Sequence, residues 1–104
     1  MENFIGQIIM MATSYVPNGY LPCDGRLLPI MQYQALFALL GVTYGGDGKT
    51  TFALPNLTAR MPIHPVATQT INKVMVSGHG EDLGIPTTTI LYCICVQGLF
   101  PERP

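Results

Sequence analysis

Residues 41–51 read GVTYGGDGKTT, and the stretch GDGKTT has the composition of a loop that cradles phosphates. Such a loop works through backbone N–H groups and needs a glycine five positions before the Gly-Lys pair, with a helix opening directly after it. Thr43 stands five positions before Gly48, and FALPNL with its Pro55 follows, which no helix accommodates. The spacing therefore argues against an NTPase, and the glycines and aspartate read as turn chemistry instead.

The remaining reactive side chains are scattered. His64 lies between Ile63 and Pro65 and His79 between glycines, with no neighbouring nucleophile or carboxylate to make a base and its partner. Glu81 and Asp82 near His79 read as a solvated acidic loop rather than a cation site. Asp24 and Asp47 are explained by turns, and Glu102 is isolated near the C-terminal end of the sequence. Arg60, a single charge among apolar residues, is expected to pair with a carboxylate such as Asp47 or to cap carbonyls. No catalytic residue, metal ligand or cofactor-binding residue is assigned, and an enzyme ranks last among the functional readings.

Cysteines stand at 23, 93 and 95. A spacing of two along a strand puts Cys93 and Cys95 on one face, poor geometry for bonding each other. Cys23 either meets one of them across a sheet, or all three are buried free thiols. A zinc site lacks its second ligand pair.

The elements that must hold these residues are short. FIGQIIMMATSYV predicts a strand buried on both faces that ends at the turn VPNGY. YLPCDGRLLPI predicts a hairpin turning at Asp24-Gly25. MQYQALFALLG predicts a helix of at most about three turns, with a stripe of Ala35, Leu36, Leu39 and Leu40, Met31 at the N-cap and Gly41 as terminator. VTYGGDGKTT is expected to be an ordered loop. FALPNLTARMPIHP is expected to run extended, since prolines at 55, 62 and 65 deny helix. VATQTINKVMVSG suggests one hairpin, GHGEDLGIP a loop, and TTTILYCICVQGLF the clearest strand. Together these predict one α+β domain over residues 1–104, of short, mostly antiparallel strands with one short helix and long ordered loops.

Composition bears on partners. Only 11% of the 104 residues are charged, against roughly 25% in ordinary soluble domains, while 48% are hydrophobic. A domain this small has much surface for its volume, so uncharged and apolar groups must lie outside, which predicts association with neighbouring copies of the chain. A surface rich in Thr, Gly and Asn is the alternative. Five scattered basic residues and a formal net charge of −1 leave no footprint for a nucleic-acid backbone. No apolar run reaches the ~20 residues of a membrane span, and Glu2 stands where a signal peptide would carry basic charge.

The blocks FIGQI, YLPCDGRLLPI, QALFALLG, TYGGDGKTTFALPNL, RMPIH and CICVQGLFP, in that order, resemble the tail-collar domain of short tail fibres in contractile-tailed bacteriophages and the microcystin-dependent protein family. The resemblance covers nearly the whole chain. It implies a non-enzymatic structural subunit of a tail fibre or a phage-derived extracellular fibre, found in a virion or at a cell surface. The motif positions are Gly45, Gly46, Asp47, Gly48, Phe52, Leu54, Pro55, Leu57, Arg60, Gln97, Gly98, Phe100 and Pro101. Faces formed by FIGQIIMM, ALPNL and ICVQGLF are expected to dock copies together. The resemblance also implies a threefold homotrimer, and it aligns Cys23 and Cys93 with positions where relatives often carry cysteine, the ground for a disulfide between them.

Departures from the family pattern are Met31 for a helix-start serine, Asn56 for aspartate and Ala59 for glycine. Only residues 65–89 fill the region where longer relatives carry a glycine-rich segment with paired histidines, so their metal-linked, receptor-facing part does not carry over. The shortened form admits two other readings. One is a head-to-tail extracellular filament, joined at strand edges. The other is a carbohydrate- or receptor-binding adhesin using Tyr20, Tyr33, Tyr44 and Tyr92.

Overall fold

A computed structural model of the chain describes residues 3–58, 60–62, 64 and 89–102. Five strands occur among them: β1 (Ile8–Met11), β2 (Tyr20–Pro22), β3 (Leu27–Pro29), β4 (Thr51–Ala53) and β5 (Leu91–Cys95). One α-helix, α1 (Gln34–Leu40), follows a 3₁₀ turn at Ile30–Gln32. The strands form two antiparallel sheets, one ordered β1-β5-β2 and the other β3-β4, so the fold is α+β as the sequence indicates.

β5 is central because its residues alone can be covered on both faces. Ile94 pairs with Ile8 on one side and Leu21 on the other, and Cys93 with Ile9 and Pro22. Cys93, Ile94 and Cys95 are fully buried. β1, expected to be buried on both faces, is instead an edge strand whose burial alternates. Ile8 and Met10 point outward, Met10 with 67% of its surface exposed. An unbroken apolar run reads as a buried strand, but strand position in the sheet decides burial, and among the described residues β1 pairs with β5 alone.

The expected hairpin at YLPCDGRLLPI does not form. β2 pairs with β5 and β3 with β4, so Asp24-Gly25 bends the chain between two sheets rather than closing one ladder. Gly25 does take the positive φ a turn requires, 81°. The Asp24 carboxylate accepts hydrogen bonds from the Arg26 backbone N–H, Nε and Nη2, and Arg26 and Asp24 form an exposed ion pair at 2.9 Å. The Arg26 side-chain hydrogen bonds outweigh partial desolvation and hold the Asp24 carboxyl below its ordinary range.

The helix is two turns long, within the expected limit of about three, because Ile30–Gln32 winds as 3₁₀ and moves the start forward. Met31 is thus highly exposed and caps nothing; Tyr33 takes the N-cap position with no side-chain hydrogen bond. Gly41 ends the helix as expected, at φ 58°, its N–H donating to the Phe37 carbonyl at 2.8 Å. Leu36 is buried, and Phe37, Leu39 and Leu40 pack beside it, while Ala35 faces out. Phe37 meets Phe52 with ring centroids 5.4 Å apart, tilted by 56°. Ile5, Cys23, Leu28, Leu36, Phe52, Leu54 and Ile94 form the core that joins both sheets and the helix. The hairpin expected in VATQTINKVMVSG and the loop GHGEDLGIP lie outside the described residues.

Candidate assembly surface

The loop that invites comparison with a phosphate site is filled by its own carboxylate. Asp47 Oδ1 accepts the backbone N–H groups of Lys49, Thr50 and Thr51 at 2.8, 2.8 and 2.9 Å, and Oδ2 accepts the Thr50 hydroxyl at 2.9 Å. The N–H groups that would hold a phosphate are therefore engaged, and the Asp47 carboxyl is held well below its ordinary range by these donors, Thr51 N–H foremost. This arrangement fixes the entry to β4.

Glycine is needed here for approach as well as φ. A Cβ on Gly46, at φ 96°, would stand 2.4 Å from Phe52 Cα and 2.7 Å from the Thr51 carbonyl oxygen. The loop thus lies directly on β4, and the Ala53 N–H donates to Gly45 O at 3.1 Å. Gly48 and Gly45 also hold positive φ, at 75° and 130°.

The terminal block is tied to the opening of the chain. Ile5 N–H donates to Leu99 O at 2.8 Å and Leu99 N–H to Asn3 O at 2.9 Å, a parallel bridge between Phe4 and Leu99. Gly98 is required there, since a Cβ would fall 2.3 Å from Asn3 O. Gln97 N–H bonds Gly19 O at 3.2 Å and its own carbonyl faces Cys95 Sγ at 3.2 Å. Pro101 is half-buried. This pairing brings Phe4, Leu99 and Phe100 out together, all exposed, Phe100 by 51%. Ile8 and Met10 on β1 are further exposed apolar side chains.

The motif residues thus divide by role. Phe52 and Leu54 are 0% exposed and Pro55 is buried, so ALPNL builds the core and does not offer the docking face expected of it. Leu57 packs on that core, and its N–H donates to Cys23 O at 2.8 Å. Arg60 is exposed and does not pair with Asp47, whose oxygens are already taken within its own loop. Tyr44 is exposed, whereas Tyr20, Tyr33 and Tyr92 are half-buried, and Tyr33 and Tyr92 pack on the core. A cavity of about 100 Å³ lined by Cys23, Asp24, Leu57, Thr58 and Tyr92 is well below the ~300 Å³ where small-molecule sites begin.

All three cysteines are buried free thiols in this structure, so the Cys23–Cys93 disulfide implied by the resemblance is not present. The register supplies the reason. Pro22 is the partner of Cys93, and Cys23 N–H bonds the Tyr92 carbonyl at 2.9 Å, so Cys23 lies one step along and turns to the opposite face, into the core with Ile94. Burial pushes the Cys23 thiol up to about 11 and raises that of Cys93, which disfavours the thiolate at both. The sequence reading named the stretches FIGQIIMM and ICVQGLF that hold Phe4, Leu99 and Phe100, but not their meeting in one row. Its signal lay in the QGLF block, but nothing local foretold pairing with residues 3–5.

Comparison with known proteins agrees with this arrangement. A search of curated proteins found no match. The family model described as the phage tail collar domain matches residues 6–62, from the glycine before β1 through the Asp47 loop and β4 to Pro62. More than half of the sequence is covered, and the chain belongs to the phage tail collar domain family.

Proposed function

We propose that copies of this chain associate with one another as a non-catalytic structural module of a phage tail fibre. Membership in the collar family makes the chain a structural, virion-associated component that works beside other tail-fibre parts. Among the described residues no helix is long and apolar enough to cross a membrane. The observation that carries self-association is the apolar surface of Phe4, Ile8, Met10, Leu99 and Phe100 on a chain with only 11% charged residues. Covering such side chains on each copy is favourable, and they would form the apolar centre of a contact whose ordinary scale, about 1,600 Å² in total, draws in the residues around them as well.

A closed trimer is the form this takes. Light scattering of the purified chain at two concentrations should give one fixed mass, three times the 11.3 kDa of a single chain. A monomer at both concentrations overturns the proposal. A second reading has a specific observation behind it: among the described residues β1 is an edge strand of IIMM, with no charge or proline to block pairing. Particles that lengthen with concentration, seen as threads by negative-stain electron microscopy, would replace the trimer with an open polymer.

A further inference from the structure

Three steps in the chain place a side-chain carbonyl carbon next to a glycine nitrogen in a turn: Asn18-Gly19, Asp24-Gly25 and Asp47-Gly48. Two of them are locked. The Asp24 carboxylate is held by Arg26, and that of Asp47 by three backbone N–H groups and a hydroxyl. Asn18 differs. It is exposed, its side-chain amide makes no hydrogen bond among the described residues, and the turn bond from Tyr20 N–H to Pro17 O at 3.2 Å passes around the Asn18-Gly19 peptide without using it. Gly19 has no Cβ to shield its nitrogen and sits at φ 83°. It is the single Asn-Gly step in the sequence; Asn3, Asn56 and Asn72 precede Phe, Leu and Lys.

We propose that Asn18 is a site of spontaneous covalent modification, deamidation with isomerisation of the main chain. The Gly19 backbone nitrogen, losing its proton to hydroxide, attacks Asn18 Cγ; the new N–Cγ bond forms a five-membered imide, and the Cγ–Nδ2 bond breaks to release ammonia. Water then opens the ring at either carbonyl, giving aspartate or isoaspartate with no oxidant or reductant involved. The product adds one negative charge to a chain whose formal net charge is −1.

The position gives the change a structural consequence. Gly19 O accepts the N–H groups of Val96 at 2.8 Å and Gln97 at 3.2 Å, and Tyr20 begins β2 opposite Cys95. Isoaspartate lengthens the main chain by one carbon just before this junction. It therefore strains the hold on the segment leading to Gly98, Leu99 and Phe100.

The test is incubation of the full chain at neutral and at mildly alkaline pH, with peptide mapping by tandem mass spectrometry over days. Asn18 should convert first, faster at the higher pH and with isoaspartate exceeding aspartate. Its rate in the folded chain should stay within about tenfold of that in urea, because exposed turns open at little free-energy cost. Asn18→Gln should abolish the conversion while leaving the thermal melt unchanged. Hydrogen exchange of the converted chain should show faster exchange at Val96 and Gln97 than at Ile94. If Asn18 survives in the folded chain as long as Asn56, the proposal is wrong. If it converts with no change in exchange at Val96 and Gln97, the site stands and its structural consequence does not.

Discussion

Asp47 shows how one side chain can replace an expected ligand. Its carboxylate collects three backbone N–H groups and a hydroxyl, the donor set a phosphate would otherwise use. Since its folded-state ionisation lies below that of an unfolded aspartate, the stabilisation is present above the ordinary carboxylate range and fades as pH falls through and beneath it. Asp47→Asn keeps one acceptor oxygen and loses the charge, so it should lower the melting temperature at neutral pH and flatten the acid side of the stability profile. A melt taken from pH 7 to pH 2 checks this; an unchanged acid limb would mean the loop is held by other contacts. Much of this was legible from the letters, because Asp and Gly in alternation announce a turn with side-chain to backbone bonds. The pairing of Arg60 with Asp47 was not, since it required knowing that the aspartate spends its oxygens locally.

Elements tell a different story about what local patterns can specify. Gly41 ends α1 where the sequence says it should, and β5 is the strand its β-branched, aromatic letters promise. Partnership is another matter. The Asp24-Gly25 turn between two apolar stretches marks Tyr20–Pro22 and Leu27–Pro29 as strands, but the choice between a hairpin and two separate sheets depends on β5, some seventy residues from β2. The burial of β1 was misread for the same reason, because an edge and a centre can share one apolar pattern. Packing of the Asp47 loop onto β4 is the contact that local reasoning foresaw in kind but not in place. Gly46→Ala tests it: the methyl would enter Phe52 Cα and the Thr51 carbonyl, both backbone, at a residue with φ 96°. The expected cost is about 2 kcal/mol or more, measurable by denaturant unfolding. Gly41→Ala, with open space around it, should cost less despite its own positive φ of 58°.

At the level of the whole molecule, low charge content has two outlets, a core and an outer surface, and the residues assigned to each can now be separated by substitution. Phe52 and Leu54 are buried within the single chain, so Phe52→Asp should abolish folding itself, with loss of the cooperative melt, by placing an unpaired charge in the core. Ile8 and Met10 face outward on the β1 edge, where added carboxylates stay solvated in a single chain. The double substitution Ile8→Asp with Met10→Asp should therefore preserve circular dichroism and a cooperative melt while reducing the mass by light scattering to that of one chain. Like charges brought together at a contact between copies, or left beside Phe4 and Leu99 on a partner, oppose association without disturbing the fold. Leu99→Asp with Phe100→Asp should act in the same direction from the adjoining block. Should the Ile8/Met10 variant fold and still assemble as the parent does, while the Leu99/Phe100 variant falls to a monomer, the contact lies at the terminal block and excludes the β1 edge. If both variants fold and assemble unchanged, copies meet elsewhere and the apolar surface at the joined ends of the chain serves another component of the fibre.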